Sequence, residues 1–209
     1  MKELTVLEHL RRHRDFFLSG EEISRKLGVS RTAVWKEIQS LRHLGYQIEA
    51  QPHLGYKLVA VPDRLFADEL SAGLGNKLIG GRIYAYAELD STNDTLFRLG
   101  EEGAAEGTCV FSEHQKKGKG RLGRHWDSPK HQSVLFSFLL RPKSAPADIP
   151  KITLMTAVSV VKALSEVAGR TPGIKWPNDI LYEEKKLAGI LTEMSAESDR
   201  VHFLVIGVG

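Results

Sequence analysis

The sequence lacks the features of a disulfide-stabilised or membrane-embedded protein. It has a single cysteine, Cys109, so no internal disulfide can form. The longest apolar run, from about residue 134 to residue 140, is interrupted by Ser137 and is too short to span a bilayer. The first residues, MKELTVLEHLRRHRDF, carry charges throughout and have no apolar segment of a secretory signal. These absences predict a soluble protein of a reducing compartment, the cytoplasm, with no membrane partner.

The charge that is present is unevenly distributed. The net charge of +3 falls within the first 60 residues, while the rest has 19 basic and 19 acidic residues. Within that neutral part, residues 115–130 are strongly basic, with Asp127 as their one acidic residue. The cations are Lys116, Lys117, Lys119, Arg121, Arg124 and Lys130. A local basic loop predicts a small anionic ligand, whereas the N-terminal excess permits a polyanionic partner.

Residues 1–60 have the pattern of a winged helix-turn-helix. Helices over 20–27 and 31–44 are joined by the short turn Gly28-Val-Ser30, and two strands within 46–58 form the wing. The second helix is expected to expose Arg42 and a DNA-binding face to the major groove. That face comprises Ser30, Arg31, Thr32, Trp35, Lys36 and Gln39. A winged helix used for protein contacts is the alternative, and dimers on operator DNA are the expectation if the module binds DNA.

Residues 64–209 predict an α+β domain with a mixed sheet that helices cover on one face. The helices are expected at about 64–74, after Ser91 to about residue 102, and at 149–168. Predicted strands lie at 82–88, 108–114, 133–141, 174–176, 180–182, 187–194 and 201–208. Residues 60–63 are a plausible linker between the two parts.

The segment from Gln115 to Trp126, QKKGKGRLGRHW, is the most informative in the chain. It matches G-x-G-x-x-G after a strand, but the following His125-Trp-Asp-Ser-Pro129 cannot begin the helix that a dinucleotide site requires. It also lacks the Lys-Ser/Thr pair of a P-loop, because Arg124-His125 stands there. Its glycines let backbone N–H groups approach a phosphate, and we expect a lid that becomes ordered on binding.

Two further patterns, Lys175-Trp-Pro-Asn-Asp179 and Lys186-Leu-Ala-Gly189, are each compatible with an ordinary turn or strand end. Together with Ser91-Thr-Asn93, Gln115, Gly118-Lys-Gly-Arg-Leu-Gly-Arg124, Trp126 and Gly207-Val-Gly209, they resemble the biotin–protein ligases. The motifs stand in the order of that family. With the N-terminal winged helix, the whole chain resembles the bifunctional ligase/biotin operon repressor type.

The resemblance implies a winged helix over 1–60 followed by a catalytic domain of the biotin/lipoate ligase type over 64–209. It implies that biotin and ATP, with Mg²⁺, form biotinyl-5′-AMP and pyrophosphate. A lysine of a biotin carboxyl carrier protein, the acetyl-CoA carboxylase subunit, then takes the biotin and releases AMP. The same adenylate would act as corepressor, favouring a homodimer that binds operator DNA at genes of biotin synthesis and transport.

The resemblance also implies residue roles. Arg121 and Lys186 would be catalytic, and Asp179 would be a weak Mg²⁺ ligand. The biotin-binding set would be Ser91, Thr92, Asn93, Gln115, Gly118, Lys119, Gly120, Arg121, Lys186, Gly189 and Gly207. The ATP- or adenylate-binding set would be Arg121, Arg124, Trp126, Lys175, Asn178, Asp179 and Lys186.

The sequence departs from the family in two respects. Lys119 stands where the family loop usually has arginine, which keeps the charge and loses the planar fork of hydrogen-bond donors. The family normally continues beyond Gly209 to an asparagine and a small C-terminal β-barrel, so the natural protein is expected to continue. Two alternatives stay open: a lipoate ligase-like acyl-adenylate enzyme, and a biotin-sensing winged-helix regulator without catalysis.

Overall fold

The computed structural model describes residues 5–75 and 77–209. The chain divides into two compact units, the first extending to Asp63 and the second spanning Arg64–Gly209. A two-stranded sheet belongs to the first unit and a seven-stranded sheet to the second. Within the described residues, no helix has both the length and the apolar character needed to cross a membrane.

The first unit contains the three helices and the strand pair that the sequence predicts. They are α1 (Val6–Arg12), α2 (Gly20–Leu27), α3 (Arg31–His43), β1 (Gln47–Gln51) and β2 (Gly55–Ala60). Ser19 and Ser30 cap α2 and α3, because each hydroxyl accepts a hydrogen bond from the backbone N–H three residues later. Gly28 ends α2 at a φ of +67°, the left-handed conformation that glycine adopts without strain.

One expectation for this unit is wrong. Arg42 was predicted on the exposed face of α3, but it is half-buried and donates from Nε and Nη2 to the carbonyl oxygen of Ile48, at 3.1 and 2.7 Å. The guanidinium fork therefore ties α3 to β1. Helical spacing alone placed Arg42 opposite Val34 and Ile38, and it could not show that the wing folds back over this position.

Within the residues that the structure describes, the second unit has seven strands, as many as the sequence predicts, and two helices of ten or more residues. Its elements are α4 (Ala67–Ser71), β3 (Arg82–Tyr86), α5 (Thr92–Glu101), β4 (Thr108–Ser112), β5 (Leu135–Leu140), α6 (Ile149–Ala168), β6 (Gly173–Lys175), β7 (Asp179–Tyr182), β8 (Lys185–Ala196) and β9 (Val201–Val208). The strand order is β3-β4-β5-β9-β8-β7-β6, and β3 and β4 are the parallel pair in an otherwise antiparallel sheet.

The helix predicted over 64–74 is much shorter. The buried carboxylate of Glu113, just after β4, accepts hydrogen bonds from Arg64 Nε at 3.1 Å and from the backbone N–H of Leu65 at 2.8 Å. This contact holds the chain outside a helical path before α4, and Gly73 and Gly75 at positive φ follow the helix. A contact over 48 residues in sequence thus outweighs local helix propensity.

Helices cover both faces of the sheet, so the prediction of one covered face is wrong. On one face, Leu96 of α5 packs in a cluster with Val110, Leu139, Phe203 and Val205. On the other, Ala157 of α6 packs with a second cluster that includes Ile190, Leu204 and Ile206. Side chains of a strand alternate between faces, and the consecutive residues 203–206 of β9 are all buried. An unbroken apolar run of this kind is typical of a strand buried on both faces.

Candidate active site

The site begins at the N-terminus of α5, where three polar residues are buried. Ser91, Thr92 and Asn93 are 1%, 4% and 3% exposed. Ser91 is the N-cap, and its Oγ accepts a hydrogen bond from the backbone N–H of Asp94 at 3.3 Å. Its hydroxyl proton therefore remains available as a donor.

Gln115 lies beside this helix terminus with its amide held in one orientation. Its Oε1 accepts hydrogen bonds from the backbone N–H of Thr92 at 2.7 Å and from Thr92 Oγ1 at 3.0 Å. Among the described residues, no acceptor contacts the Gln115 Nε2 atom. Ser91 and Gln115 thus both offer hydrogen-bond donors to the pocket that they line, and the matching ligand group is an acceptor such as a carbonyl oxygen.

The amide of Asn93 is engaged by the protein at both ends. Its Nδ2 donates to Glu193 Oε2 at 2.7 Å and to the carbonyl oxygen of Leu191 at 3.4 Å, while Ser137 Oγ donates to its Oδ1 at 2.6 Å. A Cβ atom at Gly207 would lie 2.2 Å from the same Oδ1, so this position of β9 needs glycine. Asn93 consequently joins α5 to β5 and β8.

The basic loop closes upon itself in a compact turn. The backbone N–H of Gly120 donates to the carbonyl oxygen of Arg124 at 2.7 Å, and the backbone N–H of Trp126 donates to the carbonyl oxygen of Gly118 at 2.9 Å. A Cβ atom at Gly118 would lie 2.3 Å from the carbonyl oxygen of Trp126. The structure thus gives a steric reason for this glycine, which is independent of any phosphate.

Four lysines of the basic segment form ion pairs with three acidic residues that follow β3, here named the acidic strip: Glu88, Asp90 and Asp94. The pairs are Lys116–Glu88 (2.9 Å), Lys117–Asp90 (2.8 Å), Lys130–Glu88 (2.8 Å) and Lys119–Asp94. The hydrogen bond to Asp94 raises the pKa of Lys119, and those from Lys130 and Lys116 lower the pKa of Glu88 to about 2. The loop is therefore much less cationic than its sequence indicates.

The cations on the far wall are also engaged. Arg121 Nη1 donates to Asn178 Oδ1 at 2.8 Å, and Lys186 Nζ lies 2.8 Å from Asp179 Oδ1. The same ammonium lies 5.0 Å from the centroid of the Trp126 ring, within the range of a cation–π contact. The Trp126 Nε1 atom is buried, and no acceptor contacts it within the part of the chain that the structure describes.

These walls enclose a pocket with about 450 Å³ of empty space, its solvent-open mouth included. Twelve of the residues that the sequence predicts for the site line it: Ser91, Thr92, Asn93, Gln115, Lys119, Gly120, Arg121, Trp126, Asn178, Lys186, Gly189 and Gly207. Four others, Gly118, Arg124, Lys175 and Asp179, lie outside its lining. Gly118 shapes the loop, Asp179 pairs with Lys186, and Arg124 and Lys175 are exposed.

Sequence reasoning missed Ser137, Glu193 and the acidic strip. Ser137 is the one polar residue of β5, whose other residues are leucine and phenylalanine, and that exception was a usable signal. Glu193 and Asp94 gave no such signal, because ordinary surface positions also carry carboxylates. Across residues 5–75 and 77–209, no group of three or more His, Cys, Asp or Glu side chains could hold a metal ion.

In the first unit, the predicted DNA-binding face is exposed on α3. Arg31, Thr32, Trp35 and Lys36 are exposed, Gln39 is half-buried, and Ser30 is the exposed cap. Arg31, Thr32 and Trp35 line a cleft whose other wall comes from the wing, including Gln51 and His53. Basic and polar side chains at the N-terminus of such a helix are suited to contacts with phosphates and base edges.

Comparison with known proteins identifies the family. The model of the biotin/lipoate A/B protein ligase family matches residues 84–209, more than half of the chain.

The chain belongs to this family.

A helix-turn-helix domain model matches residues 2–57 in addition. The biotin–protein ligase resemblance and the α+β fold with an N-terminal helix-turn-helix unit are thereby confirmed. Among family members, the bifunctional ligase/repressor BirA of Bacillus subtilis is 45% identical over 92% of this chain. That of Escherichia coli is 34% identical over 92% of this chain. The chain spans 59% of the length of each of these relatives.

Solved structures of biotin protein ligases have the same fold. The enzyme of Aquifex aeolicus in complex with biotin and ATP superposes with a TM-score of 0.50 at 35% identity, over 61% of this chain and 51% of that chain. The enzyme of Leishmania major in complex with biotinyl-5-AMP gives 0.53 at 25% identity, over 62% of this chain and 56% of that chain.

Proposed function

We propose that the chain belongs to an ATP-dependent biotin–[acetyl-CoA carboxylase] ligase that acts through biotinyl-5′-AMP. Residues 64–209 would form its catalytic domain and residues 1–60 its DNA-binding domain. The observation that carries the proposal is the pocket itself, in which buried neutral donors adjoin the cations Lys119, Arg121 and Lys186. Relatives named as biotin ligases and bifunctional repressors support it.

In the first step, an oxygen of the biotin carboxylate attacks the α-phosphorus of ATP. The P–O bond to the β-phosphate breaks, and pyrophosphate leaves with its electron pair. Two anions must meet, so the cations of Arg121 and Lys186 would stabilise the charge on the phosphoryl oxygens. Lys119 and the backbone of Gly120 would cover the reacting centre and exclude water from the anhydride.

In the second step, the uncharged amine of the acceptor lysine attacks the carbonyl carbon of biotinyl-5′-AMP. A C–N bond forms, the bond from that carbon to the phosphate oxygen breaks, and AMP leaves while the nitrogen loses a proton. The acceptor would be the biotin carboxyl carrier protein of acetyl-CoA carboxylase. The reaction thus yields an amide.

The two ends of the pocket would hold different parts of the substrates. Ser91 and Gln115 would donate hydrogen bonds to the ureido carbonyl oxygen of biotin, with Thr92, Asn93, Gly118, Gly189 and Gly207 shaping that end. The nucleotide would extend past Arg121 toward Asn178, with the Trp126 ring beside it. Arg124 and Lys175 would contact its phosphates from outside the pocket lining, after movement of the loop, and Asp179 would act on them through Mg²⁺.

Magnesium would accompany the nucleotide. Asp179 Oδ1 pairs with Lys186, which leaves Oδ2 as the oxygen of this carboxylate that would hold a Mg²⁺ ion. A single protein carboxylate with substrate phosphates is a common arrangement for this ion. When bound, Mg²⁺ would neutralise phosphate charge.

The decisive experiment mixes the protein with biotin, ATP and Mg²⁺ and measures pyrophosphate release together with biotinyl-5′-AMP by mass spectrometry. Both are expected with biotin, and neither with lipoate in its place. Turnover of lipoate would favour a lipoate ligase-like enzyme. Tight biotin binding without pyrophosphate would favour a sensor that does not catalyse.

We further propose that the first unit makes the protein a biotin-responsive repressor of genes for biotin synthesis and transport. The exposed face of Arg31, Thr32, Trp35 and Lys36 supports this function. Biotinyl-5′-AMP would order the loop, lower the cost of homodimerisation and so place two winged helices on operator DNA. The proposal places the protein in the cytoplasm, where ATP and DNA are both available.

DNA binding can be tested by its salt dependence. The Arg31→Ala and Lys36→Ala variants should each bind operator DNA more weakly, with a flatter dependence of log affinity on log salt concentration, because each loses a phosphate contact. Lys57→Ala, in the wing, is a useful third variant. Unchanged salt slopes in the α3 variants would remove that face from DNA contact.

A further inference from the structure

Ser137 has an unusual position for a polar residue. It is fully buried in the middle of β5, between Phe136 and Phe138, and its register partner on the neighbouring strand is Gly207. Its side chain does not line the pocket. A buried hydroxyl costs free energy unless it is hydrogen-bonded, so its partners should explain its presence.

The Ser137 hydroxyl contacts two acceptors of the α5 terminus. Its Oγ lies 2.6 Å from Asn93 Oδ1 and 2.8 Å from Thr92 Oγ1. A carbonyl oxygen can only accept, and the Thr92 proton is directed to Gln115 Oε1 at 3.0 Å. The single Ser137 proton is therefore shared between the two acceptors.

These contacts make a directed chain of hydrogen bonds from the sheet to the pocket. Ser137 donates to Thr92, and Thr92 donates to Gln115. Because Oε1 of Gln115 also accepts from the Thr92 backbone N–H, an inverted amide would set donor against donor at that contact, and Thr92 Oγ1 would have to accept instead of donate. The Nε2 group therefore faces the pocket.

We propose that Ser137 is a positioning residue that sets the hydrogen-bond polarity of the biotin end of the pocket. It does so through Thr92 and Gln115, with a second contact that holds Asn93, and it does not touch the ligand. The ligand group that this polarity selects is a carbonyl oxygen of the cyclic urea class. The identity of that ligand as biotin rests on the proposed function, whereas the orientation of Gln115 does not.

Kinetics give the first test, with Ser137→Ala removing the hydroxyl and Ser137→Thr retaining it. Loss of one buried donor should raise the KM for biotin roughly tenfold, with kcat and the KM for ATP within about twofold. Ser137→Thr should recover most of the loss. A general impairment in Ser137→Ala, with both KM values raised and kcat lowered to a similar degree, or an unchanged KM for biotin, would overturn the proposal.

A double-mutant cycle separates action through Gln115 from a general packing effect. In a Gln115→Ala background, Ser137→Ala should add less than about twofold to the KM for biotin, because the group it orients is gone. If the two losses multiply instead, Ser137 does not act through Gln115. The double-mutant cycle does not use Ser137→Thr, so its result tests the proposal even if the extra methyl group of that variant does not fit.

A spectroscopic test needs no turnover. With ¹⁵N-labelled glutamine, the side-chain NH₂ protons of Gln115 should give one well-dispersed pair of resonances in the wild-type protein. The pair should move toward free-glutamine positions in Ser137→Ala. An unchanged pair refutes the positioning role whatever the substrate is, while absence of pyrophosphate release with biotin refutes only the proposed function.

Discussion

The two ends of the pocket are built in opposite ways. At the buried end, Ser91, Thr92 and Gln115 are neutral, and protein hydrogen bonds fix their orientation. At the exposed end, Lys119 and Lys186 each pair with a protein carboxylate, Asp94 and Asp179. One end is therefore ready for its ligand group, whereas the other must exchange partners before it could act on the phosphate oxygens of the proposed substrate.

This difference has an energetic reason. Buried neutral hydrogen bonds are costly to leave unmade, so they define one geometry. Ion pairs between partly exposed side chains contribute about 0–1 kcal/mol, so a ligand phosphate can displace them at small cost. Substitutions at the buried end should therefore change which ligand binds, and those at the exposed end should change how fast it reacts.

The largest expected effect is on the reaction rate, and it should distinguish the exposed end of the pocket from the buried end. Arg121→Ala and Lys186→Ala should each reduce the rate of pyrophosphate release about 10²- to 10³-fold, because each removes a charge that, in the proposed mechanism, stabilises the transition state. Biotin binding, measured by calorimetry, should change much less. Lys185→Ala, at the exposed neighbouring position of β8, is the matched control. Near-normal rates in both variants would exclude these residues from the chemistry.

A smaller effect is expected from Gly207→Ala at the buried end. The new Cβ atom would lie 2.2 Å from Asn93 Oδ1, so the hydrogen-bond network must shift. Overpacking of this kind costs about 1–3 kcal/mol in unfolding free energy, and biotin affinity should fall in parallel. Gly173→Ala is the control, because a Cβ atom there meets open space. Equal unfolding midpoints and equal biotin affinities for the two variants would contradict this account.

Asp94→Asn should have a modest effect of the opposite sign. It releases Lys119 and removes a negative charge near the proposed phosphate position, so the KM for ATP should fall roughly twofold to fivefold, consistent with the energy of a partly exposed pair. Asp90→Asn, which releases Lys117 instead, is the comparison. A KM for ATP that rises in Asp94→Asn would show that Asp94 orients Lys119 productively.

The smallest effect concerns the pKa of Glu88, for which no change in activity is expected. The carboxyl of Glu88 should titrate near its pKa of about 2, by NMR, because Lys130 and Lys116 hydrogen-bond its charged form. A lowered carboxyl pKa means that these pairs persist above the ordinary value of 4.5 and are lost as pH falls toward 2. Lys130→Gln with Lys116→Gln should return the midpoint toward 4.5. A midpoint unaffected by both changes would assign the shift to another cause.

Local sequence patterns predicted much of the fold. The caps Ser19, Ser30 and Ser91 and the terminator Gly169 mark helix ends through contacts within a few residues. The helix over 149–168 was predicted with the bounds that the structure has. Errors arose where distant residues decide the outcome, as for Arg64 and Leu65 held by Glu113, and for Arg42 held by Ile48.

The candidate site shows the same division. The resemblance to the biotin–protein ligases predicted most of the residues that line the pocket, because the motifs that carry the resemblance are short and continuous in sequence. Partners of those motifs were not predictable, since Asn93 and Glu193 lie 100 residues apart and Lys119 and Asp94 lie 25 apart. Which cation of the loop finds which carboxylate depends on the folded sheet, and no spacing in the sequence encodes it.

The position of the Trp126 ring allows this site to be monitored by tryptophan fluorescence. Its indole packs against the positions of Gly189 and Gly209 and under the ammonium of Lys186, whereas the other two tryptophans, Trp35 and Trp176, are 52% and 78% exposed. With both of these changed to phenylalanine, fluorescence would come from a single shielded emitter beside a cation. A change in the distance between Trp126, at the end of the basic loop, and that cation would change the emission intensity, so stopped-flow mixing could time loop motion separately from chemistry.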